Sequence, residues 1–127
     1  MKKPLVLAML AFCMACTVST GGQSSAFTPD DGKKHFIRCA ACHSVSAQAR
    51  PTTGPHLEDI VGRRVASVEG FAYSDALRAK DFIWDEARLD EFLKSPRDTH
   101  PGMCLTFMGL SRPEDRAALI AYLKAPG

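Results

Sequence analysis

The sequence predicts an all-α fold: one small domain in which short helices are joined by long loops. The chain has 127 residues, which is the length of a single domain. Several segments combine a helix-start signal with apolar residues at helical spacing. No two segments show the alternating pattern of paired strands, and there are no internal repeats. These observations together favour helices and loops over any sheet.

Residues 1–26 have the features of a secretory signal peptide. Lys2 and Lys3 precede an apolar run over residues 4–18, and small polar residues then lead to Ala26. Cleavage after Ala26 is expected, because small residues stand at the third and first positions before the cut. A retained membrane anchor is the alternative, although the run is shorter than the roughly 20 residues that cross a bilayer. The predicted domain is residues 27–127.

Charge and cysteine content narrow the function classes. The chain has 16 basic and 14 acidic residues, and loss of Lys2 and Lys3 with the leader makes the two counts equal. This balance gives no support to nucleic-acid binding, which requires a basic excess. Two of the five cysteines lie in the leader. The remaining three are an odd number, which does not suit a simple disulfide framework.

The first predicted helix spans residues 29–39. Thr28 is a suitable N-cap and Pro29 suits the first helical position. Residues 44–70 are rich in Pro, Gly and small side chains and have no sustained period, so they are predicted as a long loop. A loop of this length in a compact domain is usually functional or wrapped around something.

Two helices are predicted in the middle of the chain. Ser74 caps a short one over residues 75–80, and Asp85 caps a longer one that Pro96 ends. A second irregular loop is predicted over residues 97–110. The apolar face of the longer helix consists of Leu89, Phe92 and Leu93.

The last predicted helix ends near Ala125. Ser111 and Glu114 match a capping box, with Ser at the N-cap and Glu at the third helical position. Its apolar stripe consists of Leu119, Ile120, Tyr122 and Leu123. Helices and loops of this kind need a partner to pack against, and a large flat cofactor would serve.

The chemistry is concentrated in Cys39-Ala40-Ala41-Cys42-His43. Cys-x-x-Cys-His is the attachment signal for c-type haem: two thiols bind the haem edge and the His ligates the iron. A redox dithiol is the first alternative, but no β-α-β context surrounds the motif. A zinc site is the second, and it would need another ligand pair. The remaining candidates, which are poorly spaced, are Cys104, His35, His56 and His100.

With this motif, the chain resembles the class I cytochromes c of the mitochondrial and bacterial c2 type. The resemblance covers nearly all of residues 27–127. The matching segments are Gly32-Lys33-Lys34-His35-Phe36, Thr53-Gly54-Pro55-His56-Leu57, Gly62-Arg63, Phe71-Ala72-Tyr73-Ser74-Asp75-Ala76, Trp84, Leu89, Phe92-Leu93, Pro96, Pro101-Gly102 and Leu119-Ile120-Ala121-Tyr122-Leu123.

The resemblance implies roles for single residues. Pro55 would accept a hydrogen bond from the His43 Nδ1–H through its backbone carbonyl, which fixes the tautomer. Partners for the two haem propionates would be needed because buried carboxylates must be hydrogen-bonded. The implied propionate partners are Arg63, Tyr73 and Trp84. The implied contact between the first and last helices joins Gly32 and Phe36 to Tyr122.

The chain departs from the family on the second face of the iron. The family pattern Pro-Gly-x-x-Met-x-Phe-x-Gly has Leu105 at the Met position, and a Leu side chain cannot bind iron. Phe92 stands where the family usually has a Tyr that hydrogen-bonds the Met sulfur, and Leu77 where it often has an Asn that holds a water. Phe107 keeps the aromatic position of the pattern. The distal pocket is therefore expected to be apolar and altered.

Four distal arrangements remain open. Met103 can reach the iron if the loop shifts, Cys104 can bind as a thiolate, and Met108 can bind by displacing Phe107. The fourth is a vacant site that binds small ligands. Met ligation raises the haem potential, whereas a thiolate or a vacancy is expected to lower it.

Two functions follow from these arrangements. The first is a periplasmic one-electron carrier, not an enzyme, with transient redox protein partners. The second is binding or sensing of NO, CO or another diatomic gas at an open site, with weak peroxidase chemistry. The family's carriers often dock through Lys residues around the haem edge. Here the resemblance places Arg38, Arg97 and Arg112 near that edge, with Asp98 and Cys104 at common Lys positions, so steering to an acidic partner is expected to be weak.

Overall fold

The computed structural model describes residues 27–101 and 106–127. Its helices, in chain order, are α1 (Pro29–Phe36), α2 (Asp75–Arg78), α3 (Glu86–Lys94), α4 (Pro96–Thr99) and α5 (Pro113–Lys124). In these two ranges β-structure is limited to one isolated bridge between Arg64 and Ile83. The predicted all-α class is therefore confirmed. None of the helices in these ranges is long and apolar enough to cross a membrane. The predicted signal peptide lies outside the described residues.

Helix α1 begins where the sequence predicts. The Thr28 hydroxyl accepts a hydrogen bond from the Asp31 backbone N–H (3.4 Å), and the Asp31 carboxylate accepts one from the Thr28 N–H (3.1 Å). This reciprocal pair is a capping box. The helix ends at Phe36, but hydrogen-bonded turns follow it directly. The Cys39 N–H donates to the Phe36 carbonyl at 2.8 Å, and the His43 N–H donates to the Cys39 carbonyl at 2.8 Å. Both cysteines and His43 are therefore held on one short, rigid segment.

The predicted caps of α2 and α3 are confirmed. The Ser74 hydroxyl accepts from the Leu77 N–H at 3.3 Å, and the Asp85 carboxylate from the Arg88 N–H at 2.8 Å. Helix α3 ends before Pro96, with Ser95 at φ −144°. This is the restriction that Pro imposes on the residue before it.

The prediction of an irregular loop throughout residues 97–110 was wrong at its start. Helix α4 occupies Pro96–Thr99, and the His100 N–H donates to the Pro96 carbonyl at 3.1 Å. The Pro that ends α3 also begins α4, because its fixed φ suits the first helical position.

The predicted capping box of the last helix was also wrong. The N-cap of α5 is Arg112, and no side chain caps the helix. The Glu114 carboxylate instead accepts from the Arg112 Nε at 2.7 Å. The Ser111 carbonyl accepts from the Arg116 Nη1 at 2.9 Å, which holds Ser111 outside the helix. The predicted apolar stripe of α5 is confirmed as buried.

Helices α1 and α3 both pack on α5. The closest approach is at Gly32, where an added Cβ would lie 2.2 Å from the Ala118 carbonyl oxygen and 2.3 Å from the Tyr122 Cβ. The rings of Phe36 and Tyr122 meet with centroids 5.5 Å apart. The contact implied by the resemblance is therefore present. This three-helix frame supports one side of the candidate site.

Candidate functional site

A cavity of about 450 Å³ lies between the Cys39–His43 turn, the long loop and the inner faces of α3 and α5. Apolar side chains make up most of its wall. Ten of the predicted site residues line it: Cys39, Cys42, His43, Pro55, Arg63, Tyr73, Leu77, Trp84, Phe92 and Phe107. The other three, Met103, Cys104 and Leu105, lie outside the described residues. Side chains from distant parts of the sequence are thus brought together as predicted.

The two cysteines are free thiols on one wall of the cavity. Burial is the main reason that the pKa of the Cys39 thiol is raised, so this group carries its proton at neutral pH. A neutral S–H can add across a vinyl group, with the sulfur bonding to one carbon and the proton going to the other. No oxidant or leaving group is needed. The wall can therefore form the two thioether bonds of a c-type haem.

His43 is oriented by the loop that faces it. Its Nδ1 lies 2.7 Å from the Pro55 carbonyl oxygen, and since a carbonyl can only accept, Nδ1 carries the proton. The Nε2 atom then has its lone pair free for a metal. The Gly54 N–H and the Thr52 hydroxyl both donate to the Cys42 carbonyl, each at 2.7 Å, which ties the loop to the cysteine turn. A hydrogen bond from the ring to a backbone carbonyl, as seen here, fixes the orientation of a metal-binding imidazole.

Gly54 leaves no space for a side chain. A Cβ there would lie 2.4 Å from His43 Cε1, 2.7 Å from Nδ1 and 2.8 Å from the Cys42 carbonyl oxygen. We therefore expect Gly54→Ala to displace the imidazole and weaken the bond to iron that the sequence motif predicts for it, with loss of about 1–3 kcal/mol of stability from overpacking. The visible spectrum of the ferric holo-protein should gain a high-spin component.

Gly70→Ala is the matched control for this variant. Gly70 has φ +74°, but nothing lies within 4 Å of an added Cβ. It should lose about 1 kcal/mol from backbone strain while the spectrum stays unchanged. Equal spectra for the two variants would contradict the steric role of Gly54.

Arg63 provides a positive charge on the wall of the cavity. Its guanidinium donates to the carbonyls of Glu58 (2.7 Å) and His56 (2.8 Å), and it forms no ion pair with a described carboxylate. Burial lowers the pKa of Arg63, but a guanidinium remains charged at any physiological pH. An anionic partner stabilises a half-buried cation of this kind, and a haem propionate would be such a partner.

Two aromatic residues stand beside this charge. The backbone of Trp84 is fixed to the Arg63 segment, since its N–H donates to the Arg63 carbonyl at 2.9 Å and its carbonyl accepts from the Gly62 N–H at 2.7 Å. The Tyr73 hydroxyl accepts from the Val68 N–H at 3.3 Å and keeps its own proton for donation. All three implied propionate partners therefore line one cavity together.

The part of the cavity wall that the resemblance assigns to the distal face is apolar where it is described. Leu77 is buried, and the Phe92 ring packs on Trp84 with centroids 5.4 Å apart. Phe107 lies on the wall, whereas the next residue, Met108, is 69% exposed. Met108 therefore does not lie in the cavity. The described part of this wall offers hydrocarbon contact and no metal ligand.

Two residues in or behind this wall, His100 and Ala66, were not predicted from the sequence to contribute to a haem site. His100 packs behind Trp84 and Phe92, with its Nδ1 buried and without a hydrogen-bond partner among the described residues. Ala66 lines the cavity with φ +51°, a conformation that L-residues seldom adopt. Neither signal is local: burial of His100 depends on three aromatic rings from other segments, and the backbone of Ala66 depends on the path of the loop.

Comparisons with known proteins agree with this geometry. The family model described as "Cytochrome c" matches residues 29–125. The chain is 39% identical over 114 residues to the cytochrome c2 of Rhodomicrobium vannielii, covering 90% of this chain and 91% of the relative. It is 39% identical over 125 residues to the cytochrome c-554 of Methylosinus trichosporium, covering 98% and 95%.

A solved structure gives the same result. Cytochrome cH from Methylobacterium extorquens superposes with a TM-score of 0.69 and 36% sequence identity. The match covers 76% of this chain and 96% of that one.

Proposed function

Because the chain belongs to the cytochrome c family, we propose that it is an exported one-electron carrier that binds haem through Cys39 and Cys42 and ligates one face of its iron with His43. Members of the family hold a covalent haem c and are electron carriers rather than enzymes. When bound, the haem supplies an iron that alternates between the ferric and ferrous states. The protein residues attach it, exclude water from it and set its potential.

The observation that carries the proposal is the His43 environment. The hydrogen bond from Nδ1 to the Pro55 carbonyl (2.7 Å) directs Nε2 to the cavity that both thiols line. Arg63, Tyr73 and Trp84, which line the same cavity, would receive the propionates. A fixed ligand and buried carboxylates with partners reduce the rearrangement that accompanies a change of iron charge. Such a site suits rapid electron transfer.

Export to the periplasm is supported by the first 26 residues. They have the charge, apolar run and small residues of a secretory leader, with cleavage after Ala26. The similarity to the Methylosinus cytochrome c-554 extends over 98% of the chain, and hence over most of this segment. Residues 27–127 would then form the mature cytochrome c domain.

Docking to redox partners would depend little on charge. Arg38 lines the mouth of the cavity and is exposed, but the exposed Arg112 is paired with Glu114 through its Nε (2.7 Å) and Nη2 (2.5 Å). Two exposed apolar residues are sequence neighbours of residues that line the cavity. Ile37 precedes Arg38, and Met108 follows Phe107. A small transient interface with an apolar centre suits a redox partner.

We expect the distal face to be altered, because Leu105, Leu77 and Phe92 depart from the pattern of the family. In the sequence pattern Leu105 stands at the Met position, and the described Leu77 and Phe92 line the cavity with hydrocarbon. Met103 and Cys104 are the candidate distal ligands. An open site would instead bind CO or NO, and the relatives give no specific support to that function.

Acid-acetone extraction and visible spectra with CO test the proposal. The purified holo-protein should keep its haem in acid acetone, whereas a Cys39→Ser, Cys42→Ser double variant should release it. The reduced protein should have a low-spin spectrum that CO leaves unchanged over minutes at neutral pH. Release of haem from the unaltered protein would disprove covalent attachment. Rapid CO binding would instead favour the gas-binding function.

A further inference from the structure

Among the described residues, Arg116 on α5 is the one charged residue that is buried. The Asp90 carboxylate on α3 accepts hydrogen bonds from its Nε at 2.7 Å and from its Nη2 at 3.2 Å. Its Nη1 donates to the Leu110 carbonyl at 3.0 Å and to the Ser111 carbonyl at 2.9 Å. The guanidinium therefore joins α3, α5 and residues 110–111 at one point.

Stability alone does not account for a buried guanidinium. Its removal from water costs free energy that its partners only partly return, and apolar side chains of similar size often stabilise a fold equally well. What the planar group adds is direction. Two parallel bonds to the Asp90 carboxylate fix the plane of the Arg116 guanidinium, so that Nη1 has a set orientation. That orientation is toward the backbone of residues 110–111.

The segment that Arg116 holds leads back to the wall of the cavity. Leu110 is buried, and its N–H donates to the Leu93 carbonyl near the end of α3 at 2.7 Å. Gly109 lies against the last carbonyl of α3, since an added Cβ would be 2.5 Å from that oxygen. Phe107, two residues earlier, lines the cavity. The carbonyl of Leu110 is thus fixed by Arg116 and its N–H by α3, and together they set the place of Phe107.

We propose that Arg116 is a positioning residue for the haem site: it holds residues 107–111 on α3, so that Phe107 excludes water from the haem and keeps its potential high. The inference rests on the proposed haem site and adds to it a residue that does not itself line the cavity. Apolar surroundings favour the ferrous state, because the ferric state carries one more positive charge and loses more on desolvation.

Arg116→Lys separates the geometry of this group from its charge. The ammonium keeps a positive charge beside Asp90, but a single nitrogen cannot reproduce the planar set of bonds to one carboxylate and two carbonyls. In the holo-protein, hydrogen exchange of the Leu110 amide should accelerate on the order of tenfold, as for the loss of one hydrogen bond to a charged group. The midpoint potential should fall by a threefold to tenfold change in the one-electron equilibrium, which is about 30–60 mV.

Two control variants separate positioning from stability. Lys124→Gln removes a second ion pair between α5 and α3, in which Lys124 lies 2.5 Å from Glu86 at the surface. It should leave both the Leu110 exchange and the potential unchanged, because exposed pairs are weak and screened. Gly32→Ala loosens the contact of α1 with α5 and lowers stability, but it does not touch residues 107–111. Its potential at 25 °C should equal that of the unaltered protein.

The outcomes that contradict the proposal are specific. An unchanged potential in Arg116→Lys would overturn it, because a role through charge alone predicts that result. An equal fall of the potential in Gly32→Ala would also overturn it, since the effect would then be one of stability. Release of haem in acid acetone would instead contradict the proposed haem attachment, so the two failures are distinguishable.

A measurement on the unaltered holo-protein decides the matter even if Arg116→Lys does not fold. The Nε–H of Arg116 is buried and bonded to Asp90, so NMR should show that it exchanges with solvent at least about tenfold more slowly than an exposed one. Arg38 is exposed and provides the comparison within the same molecule. Exchange of the Arg116 Nε–H as fast as that of Arg38 would show that the guanidinium is not fixed, and would overturn the proposal.

Discussion

Gly32→Ala should remove about 3 kcal/mol of stability from the folded holo-protein. The new Cβ would lie 2.2 Å from the Ala118 carbonyl oxygen and 2.3 Å from the Tyr122 Cβ, and neither atom is the free end of a flexible side chain. Helices α1 and α5 must therefore separate. Overpacking of this kind usually costs about 1–3 kcal/mol, and rigid neighbours put this site at the upper end. The better helix propensity of Ala recovers less than about 1 kcal/mol.

Thermal unfolding of the ferric protein gives the measurement. For a domain of about 100 residues, a loss of 3 kcal/mol lowers the midpoint on the order of 15 °C. Lys33→Ala is the control, since it is the next residue on α1 and is exposed. Lys33→Ala should change the free energy of unfolding by no more than about 0.5 kcal/mol. A Gly32→Ala midpoint equal to that of Lys33→Ala would show that the helices can move apart freely.

The elements of this fold that the sequence predicted well are set by local chemistry. Thr28, Ser74 and Asp85 each cap a helix through their own side chain, as predicted. Pro96 ends α3 because its ring constrains Ser95. Caps and prolines act on neighbours within three or four residues, so a short window contains the whole interaction.

The elements that were missed depend on competition with distant groups. Ser111 and Glu114 have a capping-box spacing, but Glu114 bonds to Arg112 and the Ser111 carbonyl to Arg116. Arg116 in turn is fixed by Asp90 on α3. The local sequence does not determine which group donates a hydrogen bond to the Glu114 carboxylate. The same holds for His100, which the sequence offered only as a poorly spaced zinc ligand.

The candidate site was predictable for a different reason. Its residues are far apart in the sequence, and only their resemblance to a family motif connects them. All ten of the predicted site residues that lie in the described ranges line the cavity. What the motif does not contain is the packing behind them, such as Gly54 against His43 or His100 behind Trp84. Those contacts arise from the fold as a whole.

Leu105→Met should restore the distal ligand of the family and raise the haem potential. A thioether sulfur has the lone pair that Leu lacks, and Met ligation favours the ferrous state. Axial ligands shift haem potentials over a range of about 0.8 V, so a rise on the order of a hundred millivolts or more is expected. The sulfur-to-iron charge-transfer band of the ferric protein should appear at the red end of the spectrum.

Leu105→Ile separates ligation from volume, because it keeps the size of the side chain without adding a donor atom. Its potential should stay close to that of the unaltered protein. Phe92→Tyr, combined with Leu105→Met, should stabilise the new bond further, since Phe92 lines the same cavity and the added hydroxyl can donate to the sulfur. If Leu105→Met changes neither potential nor spectrum, a ligand as strong as Met already occupies the iron. Met103 would then be the first candidate, and Met103→Ala should lower the potential that Leu105→Met failed to raise.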